Sequence, residues 1–279
     1  MEKISKGLTV IKSDFVGWTY KPKIYLVVIA IMWFVHDNFK TVFDFAASMG
    51  YRVNFNLFAH MFSHPFMRTL LFCCIVFLFA DAPFVTEMQL FMIGRVGKGI
   101  WYAAQTVYVI ICSLLVDVLL FISPLVFRLD KIVFQNDWGK VLTSITIQPE
   151  IMNSVNGTVI RRFTPVQALL YYGAILFLLT CFIGLLMYFT NLIHMRAVGA
   201  GIMFGIIMLE WTVYMTDFHP LVWISPMSWI RPECMSYGLD HTVPSVTYAA
   251  AVLLILNILL CAGIYKASKR TDVAVTVKE

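Results

Sequence analysis

The chain has 279 residues, of which 60% are hydrophobic and 13% are charged, and its formal net charge is +5 at pH 7. Soluble globular domains carry about 25% charged residues and roughly 45–50% apolar ones. This composition excludes a water-soluble domain, because so much apolar surface cannot be hidden from water in a chain of this length. We therefore expect lipid as the main solvent, and no nucleic acid as a partner.

The N-terminal residues 4–20 predict an amphipathic helix in the cytoplasmic membrane interface. Lysines and an aspartate separate the apolar residues, so the segment is too polar to cross the membrane. The apolar residues recur at three- and four-residue steps, the spacing of one helix face: Ile4, Leu8, Ile11, Phe15 and Trp18.

Six apolar stretches then follow that are long enough to cross a hydrocarbon core of about 30 Å, which takes about twenty residues. They are residues 24–45, 66–84, 100–127, 166–193, 197–215 and 246–265. The predicted fold class is an all-α membrane protein with six transmembrane helices. The whole chain, 1–279, is predicted as a single transmembrane domain.

The positions of the basic residues predict the orientation, because lysine and arginine are enriched in cytoplasmic loops. With an even number of crossings and both termini in the cytoplasm, most of the lysines and arginines lie on the cytoplasmic side. We predict a multi-pass protein of the cell (plasma) membrane. The residues concerned are Lys3, Lys6, Lys12, Lys21, Lys23, Arg95, Lys98, Arg196, Lys266, Lys269, Arg270 and Lys278.

The apolar segment 217–241, between the fifth and sixth stretches, is broken by several prolines and is not predicted to cross. Irregular backbone at membrane depth has to be buried in protein or line a cavity. We expect an outer re-entrant hairpin whose tryptophans, Trp223 and Trp229, lie at headgroup depth.

The first predicted span carries four ionisable residues on one helix face. His36, Lys40 and Asp44 stand four apart, and Asp37 is three from Lys40, so these groups can pair along the helix. They either line a polar cavity that opens outward or neutralise one another where the helix emerges into water.

Asp117 and Glu210 lie deeper, in the third and fifth predicted spans. Each is either an ion or proton site, as in a secondary transporter, or a hydrogen-bonded packing group.

On the fifth span, Gly199, Gly201 and Gly205 form a small-residue face, for which packing inside the bundle is preferred over a dimer contact.

The segment GRVGKG at 94–99 is not a nucleotide site. A P-loop needs G-x-x-x-x-G-K-[ST], whereas Met92 stands where the first glycine belongs and Gly99 where Ser or Thr belongs. With no other catalytic motif, the chain is predicted to be a non-enzyme that binds no cofactor of its own.

Two stretches carry a resemblance to a known family. DAPFVTEMQLFMIGRVGKGIW at 81–101, followed by the apolar third span, and the broken outer segment ISPMSWIRPE at 224–233 resemble the short bacterial permeases among the membrane subunits of type 2 ABC exporters. The N-terminal amphipathic helix and the six spans agree with that layout. The loop at 128–164 is longer than the resemblance leads us to expect.

The resemblance implies that two permease subunits, identical or related, pair in the membrane and that each docks on a separate ATPase subunit. That subunit would hold ATP and Mg and power export of a peptide, drug or lipid-like substrate. It also implies a cytoplasmic coupling helix at 86–94, with contacts from Thr86, Glu87, Gln89 and Arg95, and an outer gate at Trp223, Pro226 and Trp229.

Two other functions stay open at this point. One is a secondary transporter or channel that uses Asp117 and Glu210, with Asp37 and Lys40 on the polar path. The other is a non-transporting membrane subunit, for immunity or sensing, whose outer loop at 128–164 binds a partner.

Overall fold

The computed structural model describes residues 2–84, 87–126, 128–144, 154–216, 218–236 and 242–270. The helices in this part of the chain are α1 (Glu2–Gly17), α2 (Pro22–Ser48), α3 (Pro65–Phe79), α4 (Glu87–Val96), α5 (Lys98–Val126), α6 (Gly139–Ser144), α7 (Gly157–Arg162), α8 (Pro165–Leu192), α9 (Arg196–Thr216), α10 (His219–Val222) and α11 (Val246–Ser268). One parallel pair of two-residue strands, β1 (Val53–Asn54) and β2 (Ile132–Val133), accompanies them. The protein is therefore an all-α membrane protein, as predicted.

Five helices in the described ranges are long and apolar enough to cross a membrane: α2, α5, α8, α9 and α11. They coincide, within a few residues at each end, with five of the six predicted spans. The second predicted span, residues 66–84, is only partly helical. Its helix α3 has 15 residues and is therefore about 22 Å long, less than the hydrocarbon core of about 30 Å.

The ends of the long helices follow from local sequence signals. Lys21 precedes α2 in extended conformation, and Pro22 occupies the first helical position, where its missing N–H costs nothing. Thr164 and Gln167 form a capping box at the start of α8, and the Ser245 side chain caps α11.

Helix α8 is the centre of the bundle. It packs against α3, α5, α9 and α11, and it is apolar on every face, as a buried helix must be. At Gly184 an added Cβ would lie 2.7 Å from the Val109 side chain and 3.1 Å from the ring of Phe79. This glycine therefore sets how closely α3 and α5 approach α8.

Both described ends of the chain lie at the same end of the bundle. Asn191, at the end of α8, donates hydrogen bonds to the carbonyls of Ala80 and Ala82 at 2.8 and 2.6 Å. Lys23 forms an ion pair with Asp81 at 2.6 Å. The last third of α11 lies beside the end of α8, because a Cβ on Gly263 would meet the ring of Phe189 at 3.1 Å. We call this end the α1 end.

The opposite end carries a folded set of short elements, which we call the cap: residues 49–64, 128–144, 154–164 and 218–236. The side chain of Asn54 donates to the carbonyls of Gln135 and Asp137 at 2.8 and 2.6 Å. The indole of Trp138 donates to the carbonyl of Phe163 at 2.6 Å. The predicted outer loop 128–164 is therefore, where the structure describes it, a packed part of the cap.

Asn156 belongs to the same set of cap contacts. Its carbonyl oxygen caps α7 by accepting from the N–H of Thr158 at 2.8 Å, and its amide donates to the carboxylate of Glu233. The backbone N–H of Asn156 donates to Nδ1 of the fully buried His60 at 3.1 Å. Burial lowers the pKa of His60 to about 3, so this histidine stays neutral.

Replacing Gly184 with alanine should destabilise the bundle, because the new Cβ has no room between α5 and α3. Overpacking of this kind costs about 1–3 kcal/mol. The matched control is Gly173→Ala in the same helix, where nothing lies within 4 Å of the added atom. Thermal unfolding of the purified protein in detergent should show a lower Tm for Gly184→Ala only, and equal Tm values would contradict the packing described.

Candidate functional site

Four polar side chains meet at the α1 end in what we call the Asp14 cluster: Asp14, Gln89, Trp101 and Gln105. The carboxylate of Asp14 accepts from the amide of Gln89 at 2.6 Å and from the amide of Gln105 at 2.8 Å. The oxygen of Gln89 accepts from the indole of Trp101 at 2.6 Å. All four side chains are buried, so the cluster joins α1, α4 and α5 through hydrogen bonds shielded from water.

Apolar contacts hold α1 in the position that this cluster requires. Val10 is fully buried, and the ring of Phe15 lies 5.0 Å from that of Tyr108 on α5. The indole of Trp18 donates to the Tyr108 hydroxyl. Ile4 and Leu8, by contrast, remain exposed on the outer face, where a helix in the membrane interface would contact lipid.

Burial has a large effect on the Asp14 carboxyl. Desolvation raises the pKa of Asp14 to about 7, against the opposing effects of the two amide hydrogen bonds and of Lys21. The same burial lowers the pKa of Lys21, whose ammonium lies 4.9 Å from the centre of the Phe84 ring. The charge of the cluster therefore changes near neutral pH.

Helix α4 has one face in the bundle and one face outside it. Gln89 and Ile93 are buried against α1 and α5, whereas Phe91 has 79% of its surface exposed and Arg95 is exposed beside it. Gln89 was expected to be a direct contact for an ATPase. Because it is buried and bonded to Asp14 and Trp101, we reassign it as the residue that anchors α4.

Of the remaining predicted coupling residues, Thr86 lies outside the described residues. Glu87 begins α4, and its side chain also lies outside the described part. Arg95 is on the exposed face, where a partner protein can reach it.

A second polar centre lies between α3 and α9. Arg68 and Glu210 form an ion pair in which 0% and 3% of the two side chains are exposed, and Arg68 also donates to the carbonyl of Phe62 at 2.6 Å. A charge in hydrocarbon needs such a partner. Glu210 is therefore engaged with Arg68, which the sequence analysis did not single out.

The Arg68–Glu210 pair continues toward the cap through Tyr214. The guanidinium groups of Arg68 and Arg231 lie 5.9 and 5.2 Å from the centre of the Tyr214 ring. Arg231 in turn lies 4.0 Å from the carboxylate of Glu233. Cations and aromatic faces thus connect the buried pair to the cap.

The other predicted intramembrane residues do not join these centres. Asp117 is buried and accepts a 3.4 Å hydrogen bond from the hydroxyl of Thr180 on α8. Asp37 and Lys40 are exposed on the outer face of α2, away from the bundle. Within one chain they line no internal polar path.

The predicted outer gate is packed into the cap. Trp229 is 1% exposed and its indole donates to the carbonyl of Val222 at 2.7 Å, so its ring faces the protein interior. Pro226 begins the buried 3-10 turn Pro226–Ile230. The indole of the half-buried Trp223 donates to the Thr242 carbonyl at 3.3 Å.

The small-residue face of α9 is divided between two surroundings. Gly199 packs inside, where an added Cβ would come within 2.1 Å of the Thr190 hydroxyl. Gly201 and Gly205 have nothing within 4 Å of an added Cβ. The preferred prediction of packing inside the bundle is therefore wrong for Gly201 and Gly205, which face outward.

No family model, no curated protein and no solved structure matches the chain. Among the described residues, no group of three or more histidine, cysteine, aspartate or glutamate side chains is placed to hold a metal ion. The features that bear on function are the Asp14 cluster, the exposed face of α4 and the Arg68–Glu210 pair.

The Asp14 carboxyl should make stability depend on pH. Its pKa is about 7 in the folded protein against 3.8 in the unfolded chain, so the folded state binds the proton more tightly. The free energy of unfolding should fall as pH rises from about 4 to about 7. In Asp14→Asn this part of the pH dependence should vanish.

Thermal unfolding in detergent between about pH 4 and about pH 7, the range between the unfolded and folded pKa values of Asp14, measures the effect. Asp130→Asn, at an exposed aspartate in the cap, is the control and should keep the wild-type slope. Equal slopes in wild type and Asp14→Asn would show that the proton is not held by Asp14.

Breaking the Arg68–Glu210 pair should cost more than removing both partners. Arg68→Met leaves Glu210 buried without its counter-ion, and a loss of this type costs about 3–5 kcal/mol. Arg68→Met with Glu210→Met should recover most of that loss. Unfolding by dodecyl sulfate measures the cycle, and additive losses would show that the two residues act independently.

Proposed function

We propose that this chain is the permease subunit of a type 2 ABC exporter, which works with a separate ATPase subunit and a second permease subunit. In this proposal the chain crosses the membrane six times, with residues 66–84, which contain most of α3, as the second crossing. Both termini are cytoplasmic, and the substrate is a peptide, a drug or a lipid-like molecule. ATP and Mg are bound by the partner, while this chain transmits the motion.

The observation that carries the proposal is the exposed face of α4. A phenylalanine with 79% of its surface exposed is poorly placed in water, and aromatic and arginine side chains dominate protein contacts. Phe91 and Arg95 lie together on this face. A docked protein would remove Phe91 from water and pair with Arg95.

The inner face of α4 supplies what a transmitting helix needs. Gln89 is hydrogen-bonded to Asp14 on α1 and to Trp101 on α5, so displacement of α4 moves both helices. Because α5 packs against α2 and α8, that motion enters the bundle directly. The exposed face receives the partner, and the buried face passes on its movement.

The orientation is supported by where the basic residues lie. The lysines and arginines of α1, of α4 and the start of α5, and of the end of α11 are all at the α1 end. A concentration of basic residues at the ends of spans favours the cytoplasmic side. The α1 end is therefore the cytoplasmic end in this proposal.

The outward faces of α2 and α9 support the second permease subunit. Gly201 and Gly205 leave room for another helix backbone to approach α9 closely. Asp37 and Lys40 are exposed on α2, and Asp37 is about 22 Å along the helix from Pro22, still at hydrocarbon depth. A second copy would take these charges out of contact with lipid.

The proposal is tested by purifying the full chain from its native membranes and identifying bound proteins by mass spectrometry. A P-loop ATPase should co-purify with the wild type, and its recovery should fall at least about tenfold for Phe91→Ala with Arg95→Ala, since a hot-spot residue is worth about 2 kcal/mol or more. The control is Tyr265→Ala with Lys266→Ala, an exposed aromatic and a lysine at the end of α11. This control should bind as the wild type does.

Two results would contradict the proposal. One is the absence of any P-loop protein from the wild-type sample. The other is transport by the chain in vesicles without ATP that is lost in Asp117→Asn, which would indicate a secondary transporter.

A further inference from the structure

A cavity of about 390 Å³ lies between α1, the residues Tyr20 and Lys21 just before α2, and α4. Volumes of this size are typical of small-ligand sites. Its lining combines two cations, hydroxyl groups and one buried acid: Lys12, Ser13, Asp14, Tyr20, Lys21 and Gln89. The hydrogen bond between Gln89 and Asp14 forms part of its wall.

The two lysines are the unusual part of the lining. Lys6 and Lys23 are paired with Glu2 and Asp81 at 2.7 and 2.6 Å. Neither Lys12 nor Lys21 makes an ion pair within the part of the chain that the structure describes. Two ammonium groups without an ion pair that line one cavity, one of them over the Phe84 ring, favour an anionic ligand, because a phosphate oxygen accepts strong, charge-assisted hydrogen bonds from them.

The position of the cavity indicates where that anion comes from. Pro22 begins the membrane-crossing helix α2 directly after Lys21, so the cavity is level with the membrane surface. Val16 and Tyr20, at its edge, are exposed. Acyl chains would cover these two side chains, whereas a soluble phosphate would leave them in water.

We propose that this cavity binds the phosphate of an anionic phospholipid from the leaflet that holds α1, with Lys12 and Lys21 as its cationic ligands. The hydroxyls of Ser13 and Tyr20 are the further donors in the lining. The inference does not rest on the ATPase or on transport. It requires only that the chain lies in a membrane.

Asp14, in the floor of the cavity, makes the binding sensitive to pH. An ionised carboxylate repels the phosphate, and a protonated one does not. The groups that act on Asp14 are Gln89 from α4, Gln105, Tyr108 and Cys112 from α5, and Lys21. Since its pKa is about 7, the phospholipid should bind more tightly at pH 6 than at pH 8, one unit on either side.

The full chain in detergent is titrated with short-chain phosphatidylglycerol and, in parallel, with phosphatidylcholine, and binding is followed by native mass spectrometry. Phosphatidylglycerol should bind more tightly than phosphatidylcholine. Lys12→Gln with Lys21→Gln should raise its Kd at least about tenfold, since a hydrogen bond to a charged group is worth about 1.5–3 kcal/mol. The charge-matched control, Lys3→Gln with Lys266→Gln, removes two exposed lysines at the same end and should leave the Kd unchanged.

Three results would overturn the inference. The first is equal affinity of the wild type for the two lipids, which needs no variant. The second is the same loss of affinity in the control as in the cavity variant, which would mean that only overall charge matters. The third is competition by inorganic phosphate with an affinity equal to that of the lipid, which would assign the site to a soluble phosphate. If the double variant does not fold, Lys12→Gln alone, at an exposed lysine, provides the same comparison.

Discussion

Hydrocarbon offers no hydrogen-bond partner, so the acids buried in this bundle need partners within the protein. Arg68 and Glu210 meet this requirement by pairing across α3 and α9, and Asp117 meets it through Thr180. The same constraint acts at the α1 end, where Asp14 is withdrawn from water. These polar contacts link α3 to α9 and α5 to α8, and apolar packing around α8 completes the bundle.

The Arg68–Glu210 pair and the Asp14 cluster differ in whether the acid has a counter-ion in contact with it. Arg68 and Glu210 compensate one another in a buried ion pair. Asp14 is held by two neutral amides, so no opposite charge touches its carboxylate. A pair of the first kind fixes a structure, whereas a carboxyl of the second kind responds to what approaches it. This difference is why the α1 end, rather than the bundle interior, carries both functional proposals.

Much of the fold follows from the sequence because long apolar stretches predict membrane-crossing helices. The amphipathic character of residues 4–20 and five of the spans were visible in this way. The shortness of α3 was not, because the apolar residues after Phe79 continue the hydropathy signal beyond the end of the helix. Hydropathy measures the preference for lipid and does not measure helix formation.

The candidate site was harder to predict because its members are far apart in the chain. Asp14, Gln89 and Gln105 read as ordinary polar residues until α1 and α4 are placed against α5. The Arg68–Glu210 pair could have been predicted. An arginine in an apolar stretch needs an acid as its partner, and Glu210 is the acid in the predicted fifth span. Whether Gln89 faced a partner or the bundle depended on the rotation of α4 about its axis, which this ten-residue segment does not fix, because its apolar residues fall on several faces of the helix.

The short helix α3 has a mechanical consequence. Arg68 on α3 donates a hydrogen bond to the carbonyl of Phe62, in the cap residues that precede this helix. The cap therefore cannot lift away as a rigid lid without drawing on the guanidinium that holds α9. Opening the bundle at the cap end must either tilt α3 and α9 together or first break the hydrogen bond between Arg68 and Phe62. The cap residues before α3 are therefore coupled to both helices.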